Sequence, residues 1–407
     1  MTNLAVTSTV TPARARHAVL DEPRHAPTAA PARSLAPDLA RGALLLFIAL
    51  SNVWGYLHGR ALSELGDRPL DASGLDRLVD GLTTLLVDDR SRPMFAILYG
   101  FGIATMATRL AARGRDERGV RRVLARRSVG LIVLGLVHAL LLFPFDILTP
   151  YGVTGLLALA LVNRSRAALL RWFWGSLALM LAVFLPVTYG WFAFGGEGDF
   201  STDYLTSAVE RVVNAAATGV LAGVVLLFVP QVVAGILLAR SGWLTDPARY
   251  RARLGRTALV TGLVVLVAGV PHALTVAQVW EPGFHTGRTA MLVHEVAGLA
   301  GGFAYVCLFG WLAAVWADRR RGPAVHAVVA VGQRSLTSYL LQSVMFAPLL
   351  SAWGLGWGAH LGTAQAAALA VGVWLVTVAV AVALSRAGRT GPFEALLRRW
   401  TYARDPR

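Results

Sequence analysis

The 407-residue sequence contains no lysine, and all 38 of its basic residues are arginine. The absence of lysine excludes a Schiff-base lysine and a lysine nucleophile. Cysteine is nearly absent too, since Cys307 is the single one and lies inside an apolar run. A lone cysteine excludes an intrachain disulfide and a cysteine cluster for a structural metal. We therefore expect no zinc or iron–sulfur centre and no metal cofactor.

Charged residues make up only 15% of the chain, against about 25% in soluble domains, and 56% of the residues are hydrophobic. The mean hydropathy is +0.57. Apolar runs of about 17 to 25 residues recur along the chain, each long enough to cross a hydrocarbon core of about 30 Å. The pattern predicts an all-α integral membrane protein with about ten transmembrane helices, at residues 42–58, 93–112, 128–144, 147–163, 172–194, 212–239, 257–280, 290–316, 328–352 and 363–385.

The arginines are distributed unevenly between the segments that connect these runs. Alternate segments, starting with the N-terminal region through Arg41, hold 30 arginines, and the intervening segments hold seven. By the positive-inside rule, this asymmetry predicts that both termini are cytoplasmic. The formal net charge of +15 is then explained by orientation in the lipid bilayer, and we expect no nucleic-acid partner.

Composition also divides the chain into three parts. Residues 1–32 are rich in Ala, Pro, Thr and Arg without an apolar core, which predicts a disordered cytoplasmic tail and not a cleavable signal peptide. Residues 33–385 form a single transmembrane helical domain in this interpretation. Residues 386–407 are predicted to be a cytoplasmic C-terminal segment.

Ionisable side chains inside an apolar span are costly and usually mark a pathway or a site. The third predicted helix carries His138, and Asp146 lies in the turn that follows it. A carboxylate can orient a histidine and stabilise its protonated form, as a general base requires. Eight residues of straight helix would separate the two by about 12 Å, so a direct pair requires the turn to fold back. The alternative is a neutral histidine bonded to a backbone carbonyl, with Asp146 capping the next helix.

Two further helices carry polar stripes. Arg41 and Asn52 are eleven residues apart on the first helix, which places them about 20° apart on one face and roughly 16 Å apart along the axis. On the ninth, Arg334 shares a face with Ser338 and Gln342. The two arginines could bind the phosphates of a cytoplasmic ligand. The alternatives are that Arg41 snorkels at the membrane boundary, that Asn52 joins two helices, and that Arg334 forms a structural ion pair.

Histidine also occurs on the eighth predicted helix, where His294, Gly298, Gly301 and Tyr305 share one face. A face lined by glycine can admit a neighbouring helix or a ligand, and we favour helix packing. His272 and Glu295 lie at a similar depth, toward the predicted outer side. The arginines therefore cluster toward the cytoplasmic half, and the groups that can transfer protons lie farther out.

Eight short motifs occur in order along nearly the whole chain. They are Asp38–Gly42, Leu98–Gly102, Gly135–His138, Asp146–Tyr151, Gly332–Ser343, Gly391–Glu394, Arg398–Arg399 and Thr401–Tyr402. In this order they resemble the YeiB family of bacterial multi-pass membrane proteins, which is similar to transmembrane acyltransferases of the heparan-glucosaminide N-acetyltransferase type and to sugar O-acyltransferases. In the sugar O-acyltransferases a histidine follows the first-helix arginine by eleven positions, whereas Asn52 stands at that position here.

The resemblance implies transfer of an acyl group, acetyl in the simplest case, from cytoplasmic acyl-CoA across the bacterial inner membrane. We expect His138 to be the general base and Asp146 its orienting carboxylate. The expected donor-binding residues are Arg41, Asn52, Gln333, Arg334, Ser338 and Gln342. The acceptor would be a small molecule, a sugar or a lipid, and a homodimer is left open. The alternative functions are a transporter or exporter of a small metabolite or lipid, and a scaffold in an envelope complex.

Overall fold

The computed structural model describes residues 34–63, 65, 68–191, 201–317 and 322–403. In this part of the chain it is helical, and its β-structure is one isolated bridge between Leu62 and Pro69. The predicted tail, residues 1–32, lies outside the described residues. The α-helices are α1 (Leu35–Val53), α2 (Gly74–Leu86), α3 (Ser91–Ala112), α4 (Glu117–Leu141), α5 (Leu148–Ala158), α6 (Arg166–Trp191), α7 (Tyr204–Val224), α8 (Val229–Ser241), α9 (Arg251–Val276), α10 (Phe284–Val315), α11 (Pro323–Gln333), α12 (Ser335–Leu350), α13 (Thr363–Arg386) and α14 (Pro392–Tyr402).

The structure confirms an all-α fold with several membrane-spanning helices. Seven helical stretches of the described residues are long and apolar enough to cross a membrane, and the pair α7 and α8, bent by 64°, raises the number to eight. The other two predicted spans, 147–163 and 328–352, fold differently. The first contains α5, which has only 11 residues. The second is divided between α11 and α12, because Arg334 leaves the helical conformation at φ −121° and ψ 36°.

The connecting segments with many arginines contact one another at one end of the bundle. Their hydrogen bonds include Trp400 Nε1 to Arg126 O at 3.0 Å, Arg240 NH2 to Val162 O at 2.6 Å, and Ser34 Oγ to Leu244 O. The segments with few arginines likewise contact one another, through Arg60 NH1 to Leu361 O at 3.1 Å and Gln278 Nε2 to Pro69 O at 3.2 Å. We call these the arginine-rich end and the arginine-poor end. Which end faces the cytoplasm stays a prediction.

Helix α9 offers the simplest topology test, because it links the two ends. A reporter domain fused after Arg256 should be cytoplasmic, and one inserted after Pro282 should be outside, because the arginine-rich end is expected to stay in the cytoplasm. Accessibility to an impermeant thiol reagent, in a variant with one cysteine at either position and Cys307→Ala, measures the same property. A cytoplasmic signal after Pro282 would reverse the predicted orientation.

Glycine allows the helices near the middle of the bundle to pack backbone against backbone. A Cβ atom on Gly100 of α3 would overlap the Val232 carbonyl of α8, and one on Gly235 of α8 would overlap the Ile97 carbonyl of α3. The same relation joins α1 to α11, where Gly332 faces the Asp38 carbonyl. Close approach of this kind is a general mode of helix association in membranes.

The predicted outer segment 59–92 is largely folded, which its polar sequence did not indicate. It contains α2, whose first turn has a capping box between Ser73 and Asp76. Arg68 is buried between two carboxylates, with Nε 3.2 Å from Asp80 Oδ1 and NH2 2.7 Å from Asp88 Oδ2. At the surface of the same segment, a hydrogen bond from Arg60 lowers the pKa of the exposed Asp71 carboxyl.

Candidate functional site

The structure brings His138 and Asp146 into direct contact. His138 Nδ1 lies 2.9 Å from Asp146 Oδ1, and their side chains are 1% and 0% exposed. The second carboxylate oxygen, Asp146 Oδ2, accepts the backbone N–H of Thr149 at 2.8 Å. Asp146 therefore contacts the histidine and also caps the start of α5. The orienting role and the capping role, which the sequence left as alternatives for Asp146, occur together. We call this pair the dyad.

The turn between α4 and α5 folds back because α7 holds it. Arg211, buried in α7, donates from Nε to Ala139 O at 3.0 Å and from NH2 to Leu140 O at 2.9 Å. Asn214, less than one turn farther along α7, donates to Pro144 O at 2.8 Å. The bonds from Arg211 satisfy carbonyls at the C-terminal end of α4 that have no partner within the helix, and the bond from Asn214 holds the turn that follows. Arg211 was not among the candidates selected from the sequence, although an isolated arginine beside a long apolar run could have indicated a structural or functional role.

Small and aromatic side chains enclose the dyad. A Cβ atom on Gly135, one turn before His138, would overlap both Asp146 Oδ2 and the Thr149 hydroxyl. The rings of His138 and Tyr339 of α12 lie 5.2 Å apart, and Phe143 lies 6.2 Å from the imidazole. Among the described residues, His138 Nε2 has no hydrogen-bond partner.

This arrangement suits a general base. A carboxylate that accepts the Nδ1 proton fixes the tautomer and leaves Nε2 as the proton acceptor. It also stabilises the imidazolium that forms once Nε2 has taken a proton. The buried, partner-free Nε2 is therefore the atom at which a reacting group could lose its proton.

Two of the predicted donor-binding residues are linked through Asp38. Gln333 Nε2 donates to Asp38 Oδ2 at 3.3 Å, and Asp38 Oδ1 lies 3.6 Å from Arg41 NH1. Arg41 also donates from NH2 to Leu98 O at 3.3 Å, and its side chain is 25% exposed. The first turns of α1 and the last turn of α11 thus form one polar cluster at the arginine-rich end.

Arg334 has a different environment from the one expected. It donates from Nε and NH2 to Arg389 O at 3.1 and 2.6 Å, and from NH1 to Ala330 O at 3.3 Å. Its guanidinium therefore donates to backbone carbonyls of Arg389 and Ala330. Glu394 accepts the backbone N–H groups of Leu336 and Thr337, so the start of α12 is capped by the Gly391–Glu394 motif. The contacts of Arg334 therefore join α11 to the loop after α13.

The remaining predicted residues lie along α12 and α1. Gln342 donates to Leu45 O at 3.0 Å, which joins α12 to α1. Ser338 is buried on α12, beside the Tyr339 ring that faces the dyad. Asn52 is partly buried near the C-terminal end of α1. Helix α12 thus begins directly after Arg334 and carries Tyr339, whose ring lies beside His138.

A basic cavity of about 530 Å³ opens at the arginine-rich end. Its lining includes Arg249, Arg251 and Arg256 at the start of α9 and Trp311 of α10. The three arginines are exposed, and the Trp311 ring lies against Gly255. From the sequence, these arginines indicated only the orientation of the chain in the membrane. Arginine beside a tryptophan face can bind an anion that carries a planar group.

A second polar cluster lies where α2 meets α3, with His272 and His294 buried and Asp89 partly exposed. Asp89 Oδ1 is 2.7 Å from Arg92 NH2, and Asp89 Oδ2 is 3.6 Å from His294 Nε2. The rings of His272 and His294 are 5.0 Å apart. Asp89 has a left-handed backbone with φ 57°, and Gly298 of α10 packs on its carbonyl. The glycine face of α10 therefore packs against a neighbour, as favoured from the sequence, but Asp89 was not foreseen.

The described residues contain no group of three or more His, Cys, Asp or Glu side chains placed to hold a metal ion. Cys307 is fully buried on α10. The chemistry that the described residues themselves offer is proton transfer at histidine and anion binding at arginine.

Comparison with known proteins gives a consistent family relation. Residues 238–404 match the family model described as Protein of unknown function (DUF418). The chain is 27% identical over 333 residues to Uncharacterized protein YeiB of Escherichia coli (strain K12), an alignment that covers 76% of this chain and 80% of the relative. It is 24% identical over 329 residues to Uncharacterized protein YxaH of Bacillus subtilis (strain 168), with 76% and 78% covered. Together with the ordered motifs and the multi-pass helical fold, these similarities support a relation of the chain to the YeiB-like family of membrane proteins.

Proposed function

We propose that the protein is a membrane-embedded acyltransferase that moves an acyl group from cytoplasmic acyl-CoA to a hydroxyl or amine acceptor. The observation that carries the proposal is the dyad, a buried histidine held by a carboxylate, whose second nitrogen has no hydrogen-bond partner within the described part of the chain. We place the protein in the bacterial cytoplasmic membrane, with the arginine-rich end inside.

In the proposed reaction His138 Nε2 takes the proton from the acceptor hydroxyl or amine as its oxygen or nitrogen attacks the thioester carbonyl. The new carbon–oxygen or carbon–nitrogen bond forms, and the carbon–sulfur bond to CoA breaks. The imidazolium then returns the proton to the CoA thiolate, so the reaction is balanced without a co-reactant. Asp146 stabilises the imidazolium in between. No lysine can compete as a nucleophile, and Cys307 is buried on α10.

The donor phosphates fit the arginine-rich end in this proposal. Arg41 is partly exposed there and is linked to Gln333 through Asp38. The basic cavity offers three further guanidinium groups at the same end. The contacts of Arg334 with Arg389 and Ala330 give it a structural role as well.

Measurements of donor affinity and of thermal stability distinguish residues that bind the donor from residues that hold the fold. Arg41→Ala and Arg256→Ala should each weaken acetyl-CoA binding about tenfold or more, since a charge-assisted contact contributes roughly 1.5 to 3 kcal/mol. Arg253→Ala is the matched control, because Arg253 lies on the same exposed turn of α9 and does not line the cavity. Arg334→Ala should lower thermal stability more than affinity. Calorimetric titration of the protein in nanodiscs measures the affinities, and unchanged affinity in both Arg41→Ala and Arg256→Ala would refute this donor site.

The function itself is tested by following radiolabel from acetyl-CoA into a membrane extract in the presence of the reconstituted protein. Labelled acceptor together with free CoA is the expected result. Transport is the second candidate, because the Asp89, His272 and His294 cluster places titratable groups in a second polar centre of the kind found in proton-coupled carriers. Solute flux driven by a pH gradient, without acyl-CoA consumption, would favour it.

A further inference from the structure

An apolar groove of about 410 Å³ runs between α4, α5 and α7. Its walls include Leu136 of α4, Val153 of α5 and Val220 of α7. Among the described residues, no charged side chain lines it, and Thr149 is the one polar residue in its wall. A groove without charge suits a hydrocarbon occupant, because an ionised or strongly polar group would be buried there without a partner.

Small residues on α7 let this helix pack closely against α5 along the groove. A Cβ atom on Gly219 would lie 3.0 Å from the Thr149 methyl group, and one on Gly223 would lie 3.2 Å from the Val153 side chain. Beside these glycines, Val220 and Val224 are 67% and 69% exposed. On a membrane-spanning helix, exposed valines face lipid. The groove is therefore open sideways to the bilayer.

The groove adjoins the dyad at Thr149. The backbone N–H of Thr149 donates to Asp146 Oδ2 at 2.8 Å. The Thr149 side chain is 3% exposed, and its hydroxyl has no hydrogen-bond partner among the described residues. Its methyl group faces Gly219 and its hydroxyl faces Gly135, so this one residue separates the groove from the carboxylate that holds His138.

The direction of the groove distinguishes two hydrocarbon sources. The dyad lies next to the arginine-poor end, where Tyr204 at the start of α7 donates to Leu141 O. From Thr149 the groove follows α7 toward Gly223, that is, toward the middle of the bundle. A lipid of the leaflet at the arginine-poor end has this orientation, with its head group outward and its chain inward. A chain carried by CoA would enter from the opposite end.

We propose that this groove binds the hydrocarbon chain of a lipid-linked acceptor and so presents the acceptor head group to His138. The assignment rests on the proposed acyl transfer for the meaning of the bound lipid, but occupancy of the groove can be measured without any reaction. It narrows the acceptor to a molecule with a long hydrocarbon chain that enters sideways from the bilayer.

The binding test uses photolabelling in nanodiscs that contain a trace of phosphatidylglycerol with a diazirine in its acyl chain. Labelled peptides from residues 216–224 should exceed those from the lipid-facing part of α9 around Gly262. Ala216→Leu, at an exposed lining position on α7, fills the groove and should lower the labelling about tenfold, the effect of losing about two buried methylene groups. Gly262→Leu is the matched control, because a Cβ at Gly262 meets nothing within 4 Å. Equal labelling of both helices, unchanged by Ala216→Leu, would mean that ordinary bilayer lipid covers the surface and would overturn the proposal.

Two further measurements separate the groove from the reaction. Palmitoyl-CoA should not displace the photolabel any better than acetyl-CoA; displacement by palmitoyl-CoA alone would assign the groove to the donor and overturn the acceptor assignment. In the transfer assay with membrane extract, Ala216→Leu should raise the acceptor KM and leave donor affinity unchanged. If the wild-type protein is active and the variant has the same acceptor KM, the acceptor assignment of the groove is refuted and the proposed acyl transfer is not. If the wild-type protein is labelled strongly but transfers no acyl group, the proposed acyl transfer is refuted and the groove is simply a lipid-binding site.

Discussion

His138→Ala is expected to lower acyl transfer by between about a hundredfold and ten thousandfold, the usual contribution of a positioned general base. The protein should still insert, elute as a folded species and bind acetyl-CoA. The imidazole contacts Asp146 and the neighbouring aromatic rings and not the arginine-rich end, where the donor is proposed to bind. Consumption of acetyl-CoA with a membrane extract as the acceptor source measures the rate, and size-exclusion elution with donor titration measures folding and binding.

His326→Ala is the matched histidine control, because His326 is exposed on α11. Asp146→Asn should lower turnover more than donor affinity, since an amide cannot stabilise the imidazolium although it keeps the shape of the carboxylate. Full activity of a folded His138→Ala protein would remove the dyad from the mechanism and direct attention to His272 and His294.

Gly100→Ala is expected to lower the free energy of unfolding by about 3 kcal/mol, the upper end of the usual cost of overpacking. The added Cβ would overlap the Val232 carbonyl of α8, and backbone cannot rotate away as a side chain can. The two helices would have to move apart, and the reciprocal contact between Gly235 and Ile97 O would open with them. The thermal midpoint in detergent, followed by size-exclusion elution after heating, reports the loss.

Two glycine substitutions serve as controls for this prediction. Gly102→Ala, on the same helix, would meet only the flexible end of Arg41 at 3.3 Å and should be mild. Gly372→Ala, inside α13 with nothing within 4 Å, should be neutral or stabilise by roughly 0.5 to 1 kcal/mol through helix propensity. Equal midpoints for all three variants would show that close backbone packing of α3 and α8 does not limit stability.

The sequence alone determined the fold class and the main span positions. Apolar runs of membrane length leave few alternatives to helices, because a backbone in hydrocarbon must satisfy its own hydrogen bonds. His138 and Asp146 could be selected from the sequence as well, since ionisable groups in or beside such runs are costly and therefore rare. The ordered motifs were enough for the family relation, which the comparisons support.

The tertiary structure decided which of these residues meet. The turn after α4 folds back because Arg211 and Asn214 of α7 hold its carbonyls, and residues about 70 positions away leave no local signal for that contact. Arg334 was expected in a continuous helix, yet its bonds to Arg389 and Ala330 occur at a break between α11 and α12. Hydropathy determines where a chain can cross the bilayer, but long-range packing and hydrogen bonding determine which polar groups lie together. The direct contact between His138 and Asp146, and the groove beside them, could therefore be established only in the folded chain.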